Sequence, residues 1–159
     1  MTLKTQFEAE LAAYSATGFG VVAAAEPPRK VRCEVAEASA LAVSFDKLEL
    51  TTIELANSSV GELQAISQDL ASRVTYLLEP IGPIEVDGDS CIIQMRSSPP
   101  ARGDAGTSYY ELLVKRGGSL SLCRFEKTAG AIRSRVPATV TREVLCRLVG
   151  DFSDVLGAG

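Results

Sequence analysis

The stretch between residues 84 and 126 most constrains what this chain can fold into. Ile84 to Val86 is followed by Asp87-Gly88 and then by Cys91 to Met95, and Asp-Gly is a preferred two-residue hairpin turn. A second pair of apolar runs pivots on Gly117-Gly118. Strands joined by turns this tight run antiparallel, whereas a parallel pair needs a long crossover. The class read from the sequence is therefore α+β, a mainly antiparallel sheet of short strands with helices packed on it, and not a doubly wound parallel sheet. Pivoting on Gly117-Gly118 pairs Tyr110 with Phe125, Leu112 with Cys123 and Val114 with Ser121 on one face. It sets Glu111 against Arg124 and Leu113 against Leu122 on the other.

Three helices are expected, near 2–15, 59–79 and 139–156. In the first, Leu3, Phe7, Leu11 and Tyr14 recur at helical spacing behind Thr2 as N-cap. The second carries the strongest local signal. Ser59 stands three residues before Glu62, a capping box, and Leu63, Ile66, Leu70, Val74 and Leu77 mark one face up to Pro80. In the third, Val140, Val144, Leu148, Phe152 and Val155 follow Pro137. Between the first two helices, Gly18 to Pro28 reads as loop. Three strands come next, at Val31–Val35, Leu41–Phe45 and Leu48–Leu55, with a turn or bulge at Asp46-Lys47. Ser97 to Thr107 is rich in Pro, Gly and Ser and reads as the longest loop. Ala131 to Val136 reads as a strand with Ile132, Ser134 and Val136 inward.

A length of 159 residues suits a single domain, 1–159, with one core built largely from Leu, Val, Ile and Ala around Phe7, Phe45, Phe125 and Phe152. Histidine is absent, which removes the imidazole general base, the Ser-His and Cys-His nucleophile pairs and the commonest metal ligand. Cys33, Cys91, Cys123 and Cys146 lie far apart, each in an apolar stripe, as reduced structural thiols do. No metal site and no cofactor is expected. The net charge of −4 argues against nucleic-acid binding. No apolar run approaches a membrane span, and no signal peptide is legible, so the expected location is cytoplasmic.

Several short matches weaken once their context is considered. Gly18-x-Gly20-x-x-Ala23 has the letters of a dinucleotide fingerprint but follows a helix and runs into Pro27-Pro28. Glu85, Asp87 and Asp89 lack the glycine and terminal glutamate of a calcium loop and read as a hairpin turn. Ser44-x-x-Lys47 has the letters of a serine–lysine dyad, but that dyad belongs at the start of a helix and needs further motifs absent here. Asn57-Ser58-Ser59 reads as a helix start, and Arg102-Gly103-Asp104 as loop.

Two constellations remain. Residues 1–106 carry 8 basic and 15 acidic side chains, but 107–159 carry 8 basic and 5 acidic. Arg133 and Arg135 share one side of their strand. With Arg124 on an adjacent strand, the three would line a small-anion site; the alternative is a solvated sheet face. Tyr109, Leu113, Leu120 and Leu122 fall on the hairpin face opposite the expected core. They form either an interface or a surface covered by helices.

The order of a helix, three strands, a helix, further strands and a closing helix, together with the size and acidity, resembles a type III secretion chaperone-like domain. The resemblance rests on no motif, and the strands after residue 107 depart from the family. It implies a small cytosolic homodimer that binds unfolded segments of other proteins. The resulting expectation is a non-enzymatic protein-binding or chaperone-like module, with a protein or peptide segment as partner and neither nucleic acid nor membrane. The alternatives are an anion- or ligand-binding domain using the arginines, and an enzyme working through carboxylates or lysine.

Overall fold

A computed structural model describes residues 2–15, 18–103 and 106–157. Its three helices are α1 (Leu3–Ala13), α2 (Val60–Arg73) and α3 (Arg142–Asp154). The strands are β1 (Gly20–Glu26), β2 (Arg29–Ala38), β3 (Ala42–Thr52), β4 (Ile81–Asp87), β5 (Ile92–Ser97), β6 (Ala101–Gly103), β7 (Gly106–Lys115), β8 (Ser119–Lys127), β9 (Ser134–Val136) and β10 (Ala138–Thr141). All ten join one sheet, whose main path runs β1-β2-β3-β8-β7-β5-β4 with every pairing antiparallel. The α+β class read from the sequence is the observed one. β9 pairs with β8 beyond Cys123 and β10 pairs with β3 before Asp46, so these two short strands fill the gap where β3 and β8 part.

Alternation places one face of the sheet against the helices. Val31, Cys33 and Val35 of β2 point there with Phe45, Leu48 and Leu50 of β3, Leu120 and Leu122 of β8, Leu112 and Val114 of β7, and Ile93 and Met95 of β5. Over them α1 lies on β1 and β2, α3 on β3 and β10, and α2 on β4, β5 and β7. Phe7, Phe45 and Phe152 are fully buried, and burying each such side chain contributes about 1.5–3 kcal/mol. Phe125, expected among these anchors, stands on the opposite face and is half-buried. Among the described residues, no helix is long and apolar enough to cross a membrane.

The helix starts follow their caps. Thr2 Oγ1 accepts from the Thr5 amide, Thr141 Oγ1 from Val144, and Ser59 completes the capping box with Glu62. The ends differ from expectation. α2 stops at Arg73, well before Pro80. Val74 and Leu77 still reach the core from irregular backbone, so their periodic spacing outlasts the helix. α3 begins at Arg142 because residues 138–141 are drawn into the sheet as β10.

The strands differ as well. Gly20–Glu26 is a strand, not a loop, paired without interruption to β2. The two strands read at 41–55 are one, β3, kinked by register shifts against β2; the Asp46-Lys47 irregularity is the bulge. The β4–β5 turn is wider than Asp87-Gly88. Asp87 pairs with Ile92, and the Asp87 carboxylate accepts from the amides of Asp89 and Ser90. Part of the loop read at 97–107 is β6; Asp104, the last residue of Arg102-Gly103-Asp104, lies outside the described residues. Only Ser134–Val136 of the strand read at 131–136 pairs, and Ile132 is 93% exposed.

Arg29 ties distant parts of this frame together. Its buried guanidinium donates to both carboxylate oxygens of Glu54, at 2.7 and 3.1 Å, and to the carbonyls of Ser153 (3.0 Å), Leu156 (3.2 Å) and Gly157 (2.8 Å). The hydrogen bond from Arg29 holds the Glu54 carboxyl below its ordinary range.

Candidate functional site

The register of the β7–β8 hairpin decides which residues meet. Tyr109 faces Phe125, Tyr110 faces Arg124, Leu112 faces Leu122 and Val114 faces Leu120. The connection is three residues, Arg116-Gly117-Gly118, closed by the Gly118 amide on the Lys115 carbonyl. Gly118 has φ +107, and a Cβ there would lie 2.7 Å from the Thr52 carbonyl oxygen, so glycine is required. This register is one residue away from a two-residue Gly117-Gly118 turn, and a slip of one residue exchanges the faces of a strand.

Both sets of residues singled out in the sequence are changed by that slip. Leu120 and Leu122 are in the core with Leu112, so they form no surface with Tyr109 and Leu113. Tyr109 and Leu113 do lie on the face away from the helices, Tyr109 buried and Leu113 half-buried. Arg124 turns to the helix side, where its Nη2 donates to Glu79 (3.1 Å) and Ser108 (2.8 Å) and its guanidinium lies 4.6 Å from the Tyr110 ring centre. Arg133 and Arg135 are on the open face, Arg135 across from Phe125. The three arginines therefore do not form one site.

A different group assembles on the open face. The rings of Tyr109 and Phe125 stack at 6.2 Å, with Arg96 lying 4.3 Å over Tyr109 and Arg133 lying 3.9 Å over Phe125. Arg133 Nη1 donates to Glu111 at 2.6 Å and to the Tyr109 hydroxyl at 3.3 Å, while Gln94 Nε2 donates to the same Glu111 oxygen at 2.6 Å. Glu111 is only 5% exposed although no helix covers it, because its neighbours on β5, β7 and the 128–133 turn close over it. Its hydrogen bond holds Arg133 in the charged form by raising the guanidinium pKa. Beside this network is a cavity of about 720 Å³, lined in part by Arg96, Thr107, Tyr109, Lys127, Ile132 and Arg133. Arg96 and Lys127 were missed from the sequence. Gln94 and Arg96 do alternate with Ile93 and Met95, but only the β5–β7 pairing shows that they meet Tyr109 and Glu111.

The second candidate is the edge at β1. Seven residues pair with β2 in unbroken register, and among the described residues no strand pairs with their other side. Val21 is exposed, Val22 is buried, and α1 and β1 border a groove of about 760 Å³ lined by Gln6, Ala9, Glu10, Ala23–Ala25 and Lys30. The opposite edge, β4, contains Pro83 and a register shift at Pro83/Glu85.

Cys33, Cys123 and Cys146 are poor nucleophiles. Burial, with Glu34 nearby, pushes Cys33 up to about 12. Burial raises Cys123 and Cys146 too, although Arg135 and Lys47 pull Cys123 partly back. Among the described residues, no three His, Cys, Asp or Glu side chains gather as metal ligands. No protein-family model, no curated protein and no solved structure matches the chain.

Proposed function

We propose that the chain is a non-enzymatic protein-binding module that takes an extended, apolar segment of a partner protein as an added strand on β1. The observation that carries this reading is the contrast between the sheet's two ends. Proteins blunt exposed edges with proline, lysine or bulges, because an open row of backbone donors and acceptors recruits other strands. β4 is blunted by Pro83 and a register shift. β1 has no proline, no lysine and no register shift, and no charge before Glu26. The groove beside it offers Ala9 of α1 and Ala23–Ala25 of β1, bordered by Gln6, Glu10 and Lys30, to receive alternate residues of the added strand. The uncharged stretch from Gly20 to Ala25 sets the chemistry of the occupant, a run of small or β-branched apolar residues.

The resemblance in element order to type III secretion chaperone-like domains, which bind unfolded segments, supports the same class of function. Carboxylate catalysis is disfavoured because Glu79 and Glu111 are each held by an arginine and a second donor, Ser97 and Gln94 respectively.

The test uses ten-residue peptides selected from a random library on the intact protein. Selected sequences should be apolar and β-branched. Methylating alternate backbone nitrogens should weaken them about fivefold or more per methyl, the loss of one hydrogen bond worth about 1 kcal/mol. The Val21→Lys/Ala23→Lys protein, changed only at exposed positions, should fold and fail to bind. Binders indifferent to N-methylation would overturn strand addition. Concentration-dependent dimerisation of the wild-type chain that disappears in the double variant would assign the edge to a second copy instead.

A further inference from the structure

We propose that the open-face cavity bounded by Arg96, Lys127 and Arg133 binds the phosphate of a small phosphate monoester whose apolar body rests against Pro100 and Ile132. The first observation is Arg96. Its guanidinium is fixed over the Tyr109 ring at 4.3 Å, and its Nε is buried with no hydrogen-bond partner. A buried, charged donor is seldom left unpaired, since the desolvation it suffers goes unrepaid. The second is charge. Three cations line the cavity and none of its lining residues is acidic. Glu111, the nearest carboxylate among their described partners, is committed to Arg133 and Gln94. The surplus of two positive charges matches a phosphate monoester dianion better than a carboxylate, and forked guanidiniums suit phosphate oxygens.

Ser98, Thr107 and Tyr109 add hydroxyls to the same lining. The third observation is the lip. Ile132 is 93% exposed beside Pro100 and Ala131, an apolar surface adjoining a cationic floor. A cavity of about 720 Å³ is in the range that holds a small ligand. This site lies on β5, β7, β8 and the 128–133 turn, away from β1, and its assignment does not depend on strand addition.

Phenyl phosphate is the probe. Titrated into the labelled protein and followed by amide NMR shifts, it should saturate in the range of about 1 mM or tighter, moving Arg96, Thr107, Tyr109 and Arg133 and weakening with salt. Inorganic phosphate, lacking the apolar body, and benzoate, lacking the second charge, should each bind at least about fivefold more weakly. Arg96→Gln and Lys127→Gln should each weaken phenyl phosphate about tenfold or more, the order expected for a charge-assisted contact. Arg116→Gln, in the exposed hairpin turn, and Val21→Lys/Ala23→Lys should leave it unchanged. Lys127 is exposed, so that variant remains informative should Arg96→Gln fail to fold. Absence of saturation, parity with benzoate, or unchanged affinity in Lys127→Gln would overturn the site. A phosphotyrosine peptide binding more than about tenfold tighter than phenyl phosphate would transfer the phosphate to a protein and overturn the small-molecule assignment.

Discussion

The two faces of the β7–β8 hairpin are buried by different means. Toward the helices, Leu112, Val114, Leu120 and Leu122 vanish under a second layer of structure. On the other face, Tyr109 and Glu111 are buried almost as fully, yet what covers them is other side chains of the same sheet and of the 128–133 turn. The first kind of burial excludes water from apolar surface over a wide area. The second is a patch a few residues across, closed by the mutual contacts of Arg96, Tyr109, Glu111, Phe125 and Arg133. Equal exposure therefore does not mean equal contribution to stability.

Substituting carboxylates into each face gives the largest contrast. Leu122→Glu places a charge in a closed apolar layer with no partner and should abolish folding, seen as loss of the cooperative urea transition. Leu113→Glu, half-buried on the open face, should leave a folded protein with a change within about 1 kcal/mol. If both variants unfold, something covers the open face that the single chain does not supply.

Truncation on adjacent residues refines the comparison. Leu112→Ala should cost about 2–5 kcal/mol, the range for emptying a core leucine position. Glu111→Gln should cost about 1–3 kcal/mol, since Arg133, with 37% of its side chain exposed, recovers hydration when its partner is neutralised. Equal losses in urea titration would show that the polar patch is as closed as the core.

The cysteines give the smallest and most local test. Cys33 faces the helices from β2, whereas Cys123 lies on the open face near Arg135 and Lys47. Under native alkylation Cys123 should be modified before Cys33, read by peptide mass mapping. The Cys33 thiol, raised from its ordinary 9 to about 12 in the folded chain, ionises more readily when unfolded. Its contribution to stability is thus complete below pH 9 and is lost as pH rises toward 12. Cys33→Ala should flatten that alkaline decline, measured as urea midpoints across the range.

How far the sequence can be read varies by element, and the reasons are physical. The capping box at Ser59 and Glu62 and the alternation of Val31, Cys33 and Val35 are local signals, and both elements occur where those residues place them. β1 is hidden because Val21 to Ala25 is apolar or small on both faces, leaving no period of two to detect. β3 reads as two strands because its bulge shifts the apolar parity between Phe45 and Leu48. In β8, Leu120 and Leu122 compete with Cys123 and Phe125 as candidate inward positions, so the pattern alone leaves the register open. The three-residue turn settles it, and with it the separation of Arg124 from Arg133 and Arg135. The cluster around Glu111 depends on β5 lying beside β7, a pairing between segments that no local pattern encodes.

Arg29 has a consequence for how the chain is made. Its guanidinium leaves the ribosome 124 residues ahead of the Ser153 carbonyl that receives it, and 128 ahead of that of Gly157. Until those acceptors emerge, Glu54 is its one salt-bridge partner among the described residues, and the first hairpin carries a charge whose permanent place is incomplete. The Arg29 network therefore cannot close until residues 153–157 have been made, even where the β1–β2 pairing is already complete.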